Sequence, residues 1–593
     1  MVTRVRSSRL PRFARNEFVM VPLGALGFAL VFSWPMLGHL ATPGAMDDWD
    51  VMMGLKWVSY ETIVKFHQLP LWDPYKCGGL PMLGNPQSQI ISPFFLLTLL
   101  HGPFLGTHLQ MIVSLAIAWS GGYVLARLIG ISPLGAVAAA TVFPASSWFY
   151  LKLGIGHIWG LEATYTPWGL AAAWVASERH SYRYAALGGA VFALMFLGSG
   201  PDALVYNGVG LAALMLGLAM VRKSWWPLWL LVALGLFTVG FAAIKLVPAY
   251  LLMLAHPRPT SGELEVNDAR LLLIMLFSPD QSLFRGLSNG WGFWECGAYI
   301  GIFAVPAILG LMKARRAAPW IIAGAILLLL ARGDAQPLAL WPILHKLPMF
   351  DSVRLPSRFL VPFTLVVGML AGYGIDWLAE RWASWGASIG LAVMVLATVN
   401  CLLVGPPDLE SVLQYPAQPA APAPVFHQIA HGSGNNSMLI PALENTGVVD
   451  CYDYTQWNTN VQALGEPGYR GEQYMRGAGS VRLLDWSPNA LSFEVDTPAP
   501  SSLVINQNYD SSWRVTSGAG SVYSEGDLIG VHVPAGKTRI TLRYVSIPAI
   551  VGAIISLLTI CAMVIVIRYD RARRQLREVP PQIHPQINPI DAV

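Results

Sequence analysis

Apolar residues run along this chain in blocks of bilayer length. The segments 18–38, 107–128, 133–151, 160–178, 183–200, 203–221, 226–254, 297–312, 318–331, 357–378, 384–404 and 547–567 are continuously or almost continuously apolar. A stretch of about 20 such residues crosses the hydrocarbon core of a membrane as a helix. The pattern predicts a polytopic α-helical membrane protein of about twelve spans. Between 480 and 545 the period shortens to the strand-like strings VRLLDW, LSFEVD, SLVINQ, SWRVTS, LIGVHV and RITLRYV, parted by turn signals such as SPN, TPAPS, SEGD and PAGK. Those strings predict a small antiparallel β-sandwich placed just before the last span.

The proline-rich linker 405–424 cannot continue a helix. The expected organisation is therefore a membrane domain over 1–404, an extracytoplasmic domain over 405–546, a last helix at 547–567 and a basic tail at 568–593. Residues 425–480 show little periodicity, and the polar end of the tail predicts disorder.

Charge placement orients the chain. With the basic start MVTRVRSSRLPRFAR inside as the flank of a retained first helix, alternation puts ERHSYR, VRKSWW, MKARR, AERW and RYDRARRQLR in the cytoplasm, as the positive-inside rule asks. It sends 39–106, 255–296, 332–356 and 405–546 outside. Only 12% of the residues are charged and the net charge is +4, and nothing in the composition suggests nucleic-acid binding. Five cysteines lack CxxC spacing, so neither a metal knuckle nor a disulfide framework is indicated. Cys77 and Cys296 fall on the same side, which allows a bridge between them without requiring one.

The unusual strings lie outside. An acidic cluster, DDWD at 47–50, follows the first span, then an amphipathic stretch at 51–67 suited to the membrane interface, then the Gly/Pro-rich LPLWDPYKCGGLPMLGNPQSQIISPFFLL. A loop of that kind dipping toward a membrane is costly unless it lines a cavity. Together with GHIWGLEATYTPW, ECGAYIGIF, VRLPSRFLVPF, NYDSSWRV and VPAGKTRITLRYV, these strings resemble the YfhO-like bacterial membrane proteins of the GT-C superfamily of polyprenyl-phosphate-sugar-dependent glycosyltransferases. The resemblance covers nearly the whole chain. It implies transfer of a sugar, with inversion, from a lipid-phosphate carrier to an envelope acceptor on the outer face of the bacterial inner membrane.

The residues fit such chemistry. A displacement at the anomeric carbon needs a base for the acceptor proton, and crowded carboxylates at a membrane surface can serve. The resemblance favours Asp48 first, Asp50 next, and Asp47 as a tuning neighbour; a solvated loop start is the plainer reading of the same acids. A departing lipid phosphate calls for cations, and arginine pairs two phosphate oxygens at once. Arg354 and Arg358 flank Pro356, which marks a helix start, while Lys245 lies within an apolar run and His157 at a helix end, each also explicable as an interfacial or snorkelling side chain. Asn85, Gln87, Glu162 and Glu295 are candidate sugar or acceptor contacts, and each is as readily a structural hydrogen bonder. No cofactor is expected; a divalent ion at Asp47, Asp48 and Asp50 is the alternative to charge supplied by arginine and lysine. The competing functions are a flippase of lipid-linked saccharides, which would show internal repeats, and a non-catalytic assembly protein. The sugar and the acceptor are not legible in the sequence.

Overall fold

The computed structural model describes residues 15–40, 42, 48–258, 265–283, 285–347, 350–351, 353–382, 384–405, 409, 412–413, 419–432, 437–457 and 459–578. Asp47, most of the basic N-terminal flank, half of the proline-rich linker, and the tail beyond 578 lie outside the described residues.

The apolar blocks fold into a helical bundle. Eight described helices are long and apolar enough to cross a membrane: Pro103–Leu128, Pro133–Gly154, Pro201–Arg222, Trp226–Ala255, Phe293–Ala331, Pro356–Arg381, Gly386–Val404 and Ile547–Ala572. Glu17–Phe32 and Tyr182–Gly198 are shorter apolar helices. Proline stands in the first turn of several of these, where its missing N–H is no loss and its fixed φ suits the helix. The predicted span 160–178 is divided: Ile158–Tyr165 is a 3-10 turn and Thr166–Arg179 the helix that follows.

Small residues bring the helices close. A Cβ on Gly372 would lie 2.9 Å from the Gly135 carbonyl, and one on Gly368 2.6 Å from that of Ala139, so the helices Pro133–Ala145 and Leu360–Arg381 meet backbone to backbone. The closing helix, Ile547–Glu578, packs along Trp226–Ala255, where Ser556 Oγ donates to the carbonyls of Gly240 (3.1 Å) and Phe241 (3.0 Å). Its other faces carry Ile550, Ile554, Leu557 and Leu558, all exposed, as a surface that meets lipid requires. The chain is a multi-pass membrane protein.

The first loop carries the short antiparallel pair β1 (Trp72–Asp73) and β2 (Leu80–Pro81), and the β-domain consists of two four-stranded antiparallel sheets. Its strands are β5 (Gln473–Met475), β6 (Ser480–Ser487), β7 (Ala490–Thr497), β8 (Ser501–Asn508), β9 (Trp513–Ser517), β10 (Ser521–Glu525), β11 (Leu528–Val533) and β12 (Gly536–Tyr544), ordered β10-β11-β8-β5 in one sheet and β6-β7-β12-β9 in the other. The six expected strings all lie in strands; β5 and β10 are additions. Inward positions such as Phe493, Val495, Leu503, Ile505, Ile529, Val531, Ile540 and Leu542 form the core between the sheets. The region 425–480 contains a parallel pair, β3 (His427–Ile429) with β4 (Thr446–Val448), and the short helix Leu439–Leu443.

The first long loop departs from expectation. Asp48–Val64 is a helix, but most of it is buried, held between the helices Leu439–Leu443 and Pro103–Leu128, so it does not lie flat in the interface. Residues 69–83 rise into the β-domain instead of dipping toward the membrane. Trp72, wholly buried, inserts into the sandwich core against Trp513 and Tyr544 and donates Nε1–H to Gln507 Oε1 at 2.8 Å. Asn489 accepts from the backbone N–H of Trp72 (3.0 Å), and Asn508 donates to the carbonyls of Cys77 (2.6 Å) and Gly79 (2.9 Å). Cys77 is disulfide-bonded to Cys451, with Cα atoms 5.2 Å apart. The allowed Cys77–Cys296 bridge is thereby excluded: Cys296 is a buried free thiol beside Glu265 and Ser357.

Candidate active site

Asp48 opens its helix, where an acidic side chain suits the positive end of the dipole. Its backbone N–H donates to the Ile155 carbonyl at 3.2 Å. That approach needs Gly156: φ is +87°, and a Cβ there would lie 2.1 Å from the Trp49 nitrogen. The turn delivers His157 to Asp48, with Nε2 2.8 Å from Oδ2. On the other side of the ring, Nδ1 lies 3.4 Å from Lys152 Nζ. An ammonium only donates, so this hydrogen bond requires Nδ1 as acceptor and leaves the ring proton on Nε2, facing Asp48.

The network continues inward. Lys152 is ion-paired with Glu295, whose Oε2 also accepts from Arg358 Nη2 (2.8 Å) and Nε (3.2 Å), and Arg358 Nη1 reaches Asp202 at 3.3 Å. The Trp159 ring lies under both cations, 4.7 Å from the Arg358 guanidinium and 5.6 Å from Lys152 Nζ. All of these except Asp48 and Asp202 are almost fully enclosed, and the Asp48 side chain keeps 23% of its surface exposed. Among the described residues, Asp48 Oδ1 has no hydrogen-bond partner.

A cavity of about 560 Å³ is lined by Arg258, Arg354, Tyr452, Tyr454, Trp457 and the disulfide. Arg258 lies over the Tyr454 ring at 4.3 Å. Burial, and next the charge of Arg258, hold the Arg354 pKa below its usual value, as two cations converging on one space should. Burial, and next the Asp48 carboxylate, push the Tyr452 phenol up, which ties the cavity electrostatically to Asp48. Residues 449–457 form the roof. Besides the disulfide, Lys76 holds Asp453 at 2.7 Å and Asn85 Nδ2 donates to the same oxygen at 2.8 Å. Burial alone would raise Asp453, but the Lys76 charge and the Thr455 hydrogen bonds take it below the usual carboxylate value.

Of the residues singled out in the sequence, Asp48, His157, Glu295 and Arg358 meet in this one network, and Arg354 lines the cavity. Pro356–Phe359 forms a 3-10 turn, so Arg354 precedes the helix and the two arginines do not share a face. The others have structural positions. Asp50 is buried and accepts from the N–H groups of Met438 (2.8 Å) and Leu439 (2.7 Å) and from Ser437 Oγ (3.1 Å); it and Asp48 point to different partners and do not converge on one cation. Lys245 is not at the cavity: fully buried, it donates to the carbonyls of Pro86 (2.9 Å) and Ser88 (2.5 Å). Asn85 anchors Asp453, Gln87 donates its backbone N–H to Asn85 Oδ1 at 2.9 Å, and Glu162 is fully buried against Gly198, electrostatically coupled to Lys56 and Lys245. Among the described residues no group of three or more His, Cys, Asp or Glu side chains is arranged to hold a metal ion.

Sequence reading passed over Lys152, Asp202, Arg258, Tyr452, Tyr454 and the Lys76–Asp453 pair. Lys152, an isolated cation in FYLKLG, carried the same signal as Lys245. Arg258 and the two tyrosines carried none, since only the folded roof brings them to the cavity.

No protein-family model matches the chain, and no curated protein does. Among solved structures, ArnT from Cupriavidus metallidurans bound to undecaprenyl phosphate is 14% identical over 73% of this chain and 86% of its own, with a TM-score of 0.42. The mycobacterial arabinofuranosyltransferase AftD is 14% identical over 68% of this chain at a TM-score of 0.38, and the matched part spans 28% of AftD. The arabinosyltransferase EmbB from Mycobacterium smegmatis is 12% identical over 91% of this chain and 66% of its own, at 0.35. Likeness at this level assigns neither a family nor a chemistry.

Proposed function

We propose that the chain is an inverting membrane glycosyltransferase of GT-C type, moving a sugar from a polyprenyl-phosphate donor to an envelope acceptor at the extracytoplasmic face of a bacterial inner membrane. The observation that carries this reading is Asp48: a partly exposed carboxylate, held by His157, whose charge acts on Tyr452 in the wall of a cavity that also carries Arg258 and Arg354. The sequence strings that resemble YfhO-like proteins agree with it.

In this reading the acceptor O–H lies against Asp48 Oδ1, which has no partner among the described residues. As the acceptor oxygen forms its bond to the anomeric carbon, its proton passes to Asp48, and the bond from that carbon to the phosphate oxygen breaks with its electrons staying on the phosphate. Arg258 and Arg354 take up the charge that develops there, the role for which their forked donors suit phosphate. Attack opposite the leaving group inverts the centre. Arg358, occupied by Glu295 and Asp202, braces the site instead of binding phosphate, and the Nε2–H of His157 fixes the Asp48 carboxylate.

Turnover of a panel of polyprenyl-phosphate sugars by the purified protein tests the reading. Asp48→Asn should lower kcat by about 10²–10⁴-fold, and Arg354→Ala should weaken donor binding. Wild-type rates in Asp48→Asn would remove Asp48 as the base; a wild type that consumes no donor yet carries lipid-linked saccharide across liposomes would replace the enzyme by a transporter.

A further inference from the structure

The outer face of the sheet β6-β7-β12-β9 changes character toward the membrane. Farther from the membrane its charges are matched: Glu494 takes Arg482 at 2.9 Å and Lys537 at 3.3 Å. At the membrane end, Arg543 stands four residues before the closing helix, with Arg514 directly across from it on β9 and Ala490 across on β7. Like charges opposed in a ladder are unfavourable. Neither arginine pairs with a carboxylate among the described residues; Arg514 donates to the carbonyls of Ser511 and Trp513 (3.0 Å).

Directly below Arg543 is a groove of about 710 Å³ between the β-domain, the first loop and the helices Trp226–Ala255 and Ile547–Glu578. Its lower wall is apolar, formed by Leu69, Leu83, Ile244, Ile550 and Ala553; Leu69 is 71% exposed and Ile550 53%. His67 also lines the groove. Ile550 lies on the exposed surface of the closing helix, and Ile244 and Ala553 are half-buried where that helix meets Trp226–Ala255, so the trough opens onto the surface of the bundle. A cationic rim above an apolar trough at the membrane surface has the shape and charge order of a phosphate headgroup above its chains.

We propose that this groove binds an anionic phospholipid of the surrounding leaflet, its phosphate between Arg543 and Arg514 and the upper part of one chain in the trough. The site is separate from the cavity lined by Arg258 and Arg354 and does not depend on the transfer reaction.

The full-length chain in neutral detergent, titrated with phosphatidylglycerol or phosphatidylcholine and read by native mass spectrometry and melting temperature, tests it. Phosphatidylglycerol should be retained about tenfold more tightly, because phosphatidylcholine carries the same phosphate but adds a choline cation that the two arginines repel. The preference should vanish in Arg514→Gln/Arg543→Gln, and Ala553→Phe, which fills the trough, should weaken retention of both lipids. Equal retention of the two lipids by the wild type, an undiminished preference in the double variant, or inorganic phosphate raising the melting temperature as much as phosphatidylglycerol would each overturn the proposal. The wild-type comparison decides even where a variant does not fold.

Discussion

Asp48 and Asp50 are two residues apart at the start of one helix, which turns about 100° per residue, so their side chains leave the axis on nearly opposite sides. One reaches His157 and the other the end of Leu439–Leu443. The acidic cluster was legible in the sequence, and so were His157, Glu295 and Arg358 as candidates in separate strings. Their pairing was not, because each partner comes from a different segment. Lys245 shows the limit: an intramembrane lysine signals a costly group, but its partners here are backbone carbonyls of the first loop, which no side-chain pattern announces. Lys152→Met should leave Glu295 with one cation fewer in an enclosed site and cost about 3–5 kcal/mol, seen as a lower melting temperature in detergent. Asp73 carries a pH dependence. Burial raises its pKa to about 7, so the folded chain binds a proton that the unfolded chain has released, and the stability this gives is present at low pH and lost as pH rises from about 4 through 7. Asp73→Asn keeps an acceptor for the Tyr75 N–H, and should raise the melting temperature at pH 8 while changing it little at pH 4.

At the scale of elements, helical runs and alternating strings were legible because each carries its period in local sequence, whereas of the twelve expected spans the described residues give eight helices long enough to cross and two shorter ones, with 160–178 divided. The short strands β5 and β10 were not, since three and five residues hold too little pattern to separate from a turn. The helix Asp48–Val64 was legible as a helix, whereas its burial depends on what covers it. Two of its supports are testable. Gly156→Ala adds a Cβ to a positive-φ residue at the helix start and should abolish transfer while leaving the β-domain folded. Trp72→Ala empties a site at the centre of the sandwich and should cost about 3–5 kcal/mol, measured as loss of protease resistance in the β-domain.

At the scale of the molecule, one disulfide closes 374 residues of chain between the first loop and the roof of the cavity. Cross-links over long loops restrict the unfolded chain strongly in the entropic account, and this one also fixes the segment that presents Tyr452 and Tyr454. Cys451→Ser should raise KM for a lipid-linked donor more than it lowers kcat, because the roof shapes the cavity and Asp48 is held from below. The pairing was out of reach of the sequence, as Cys451 lies in the region without periodicity.

The indole of Trp72 completes a core whose other members arrive much later. Its hydrogen-bond partner Gln507 follows 435 residues behind, so at about 5–20 residues per second the ribosome delivers it roughly 20–90 s later. During that interval most of the bundle is being inserted, and the loop bearing Trp72 waits without the core it completes. The β-domain is therefore less an appendage than the last step of assembly, and a chain stopped short of β12 would leave the first loop, with the helix of Asp48, without its anchor.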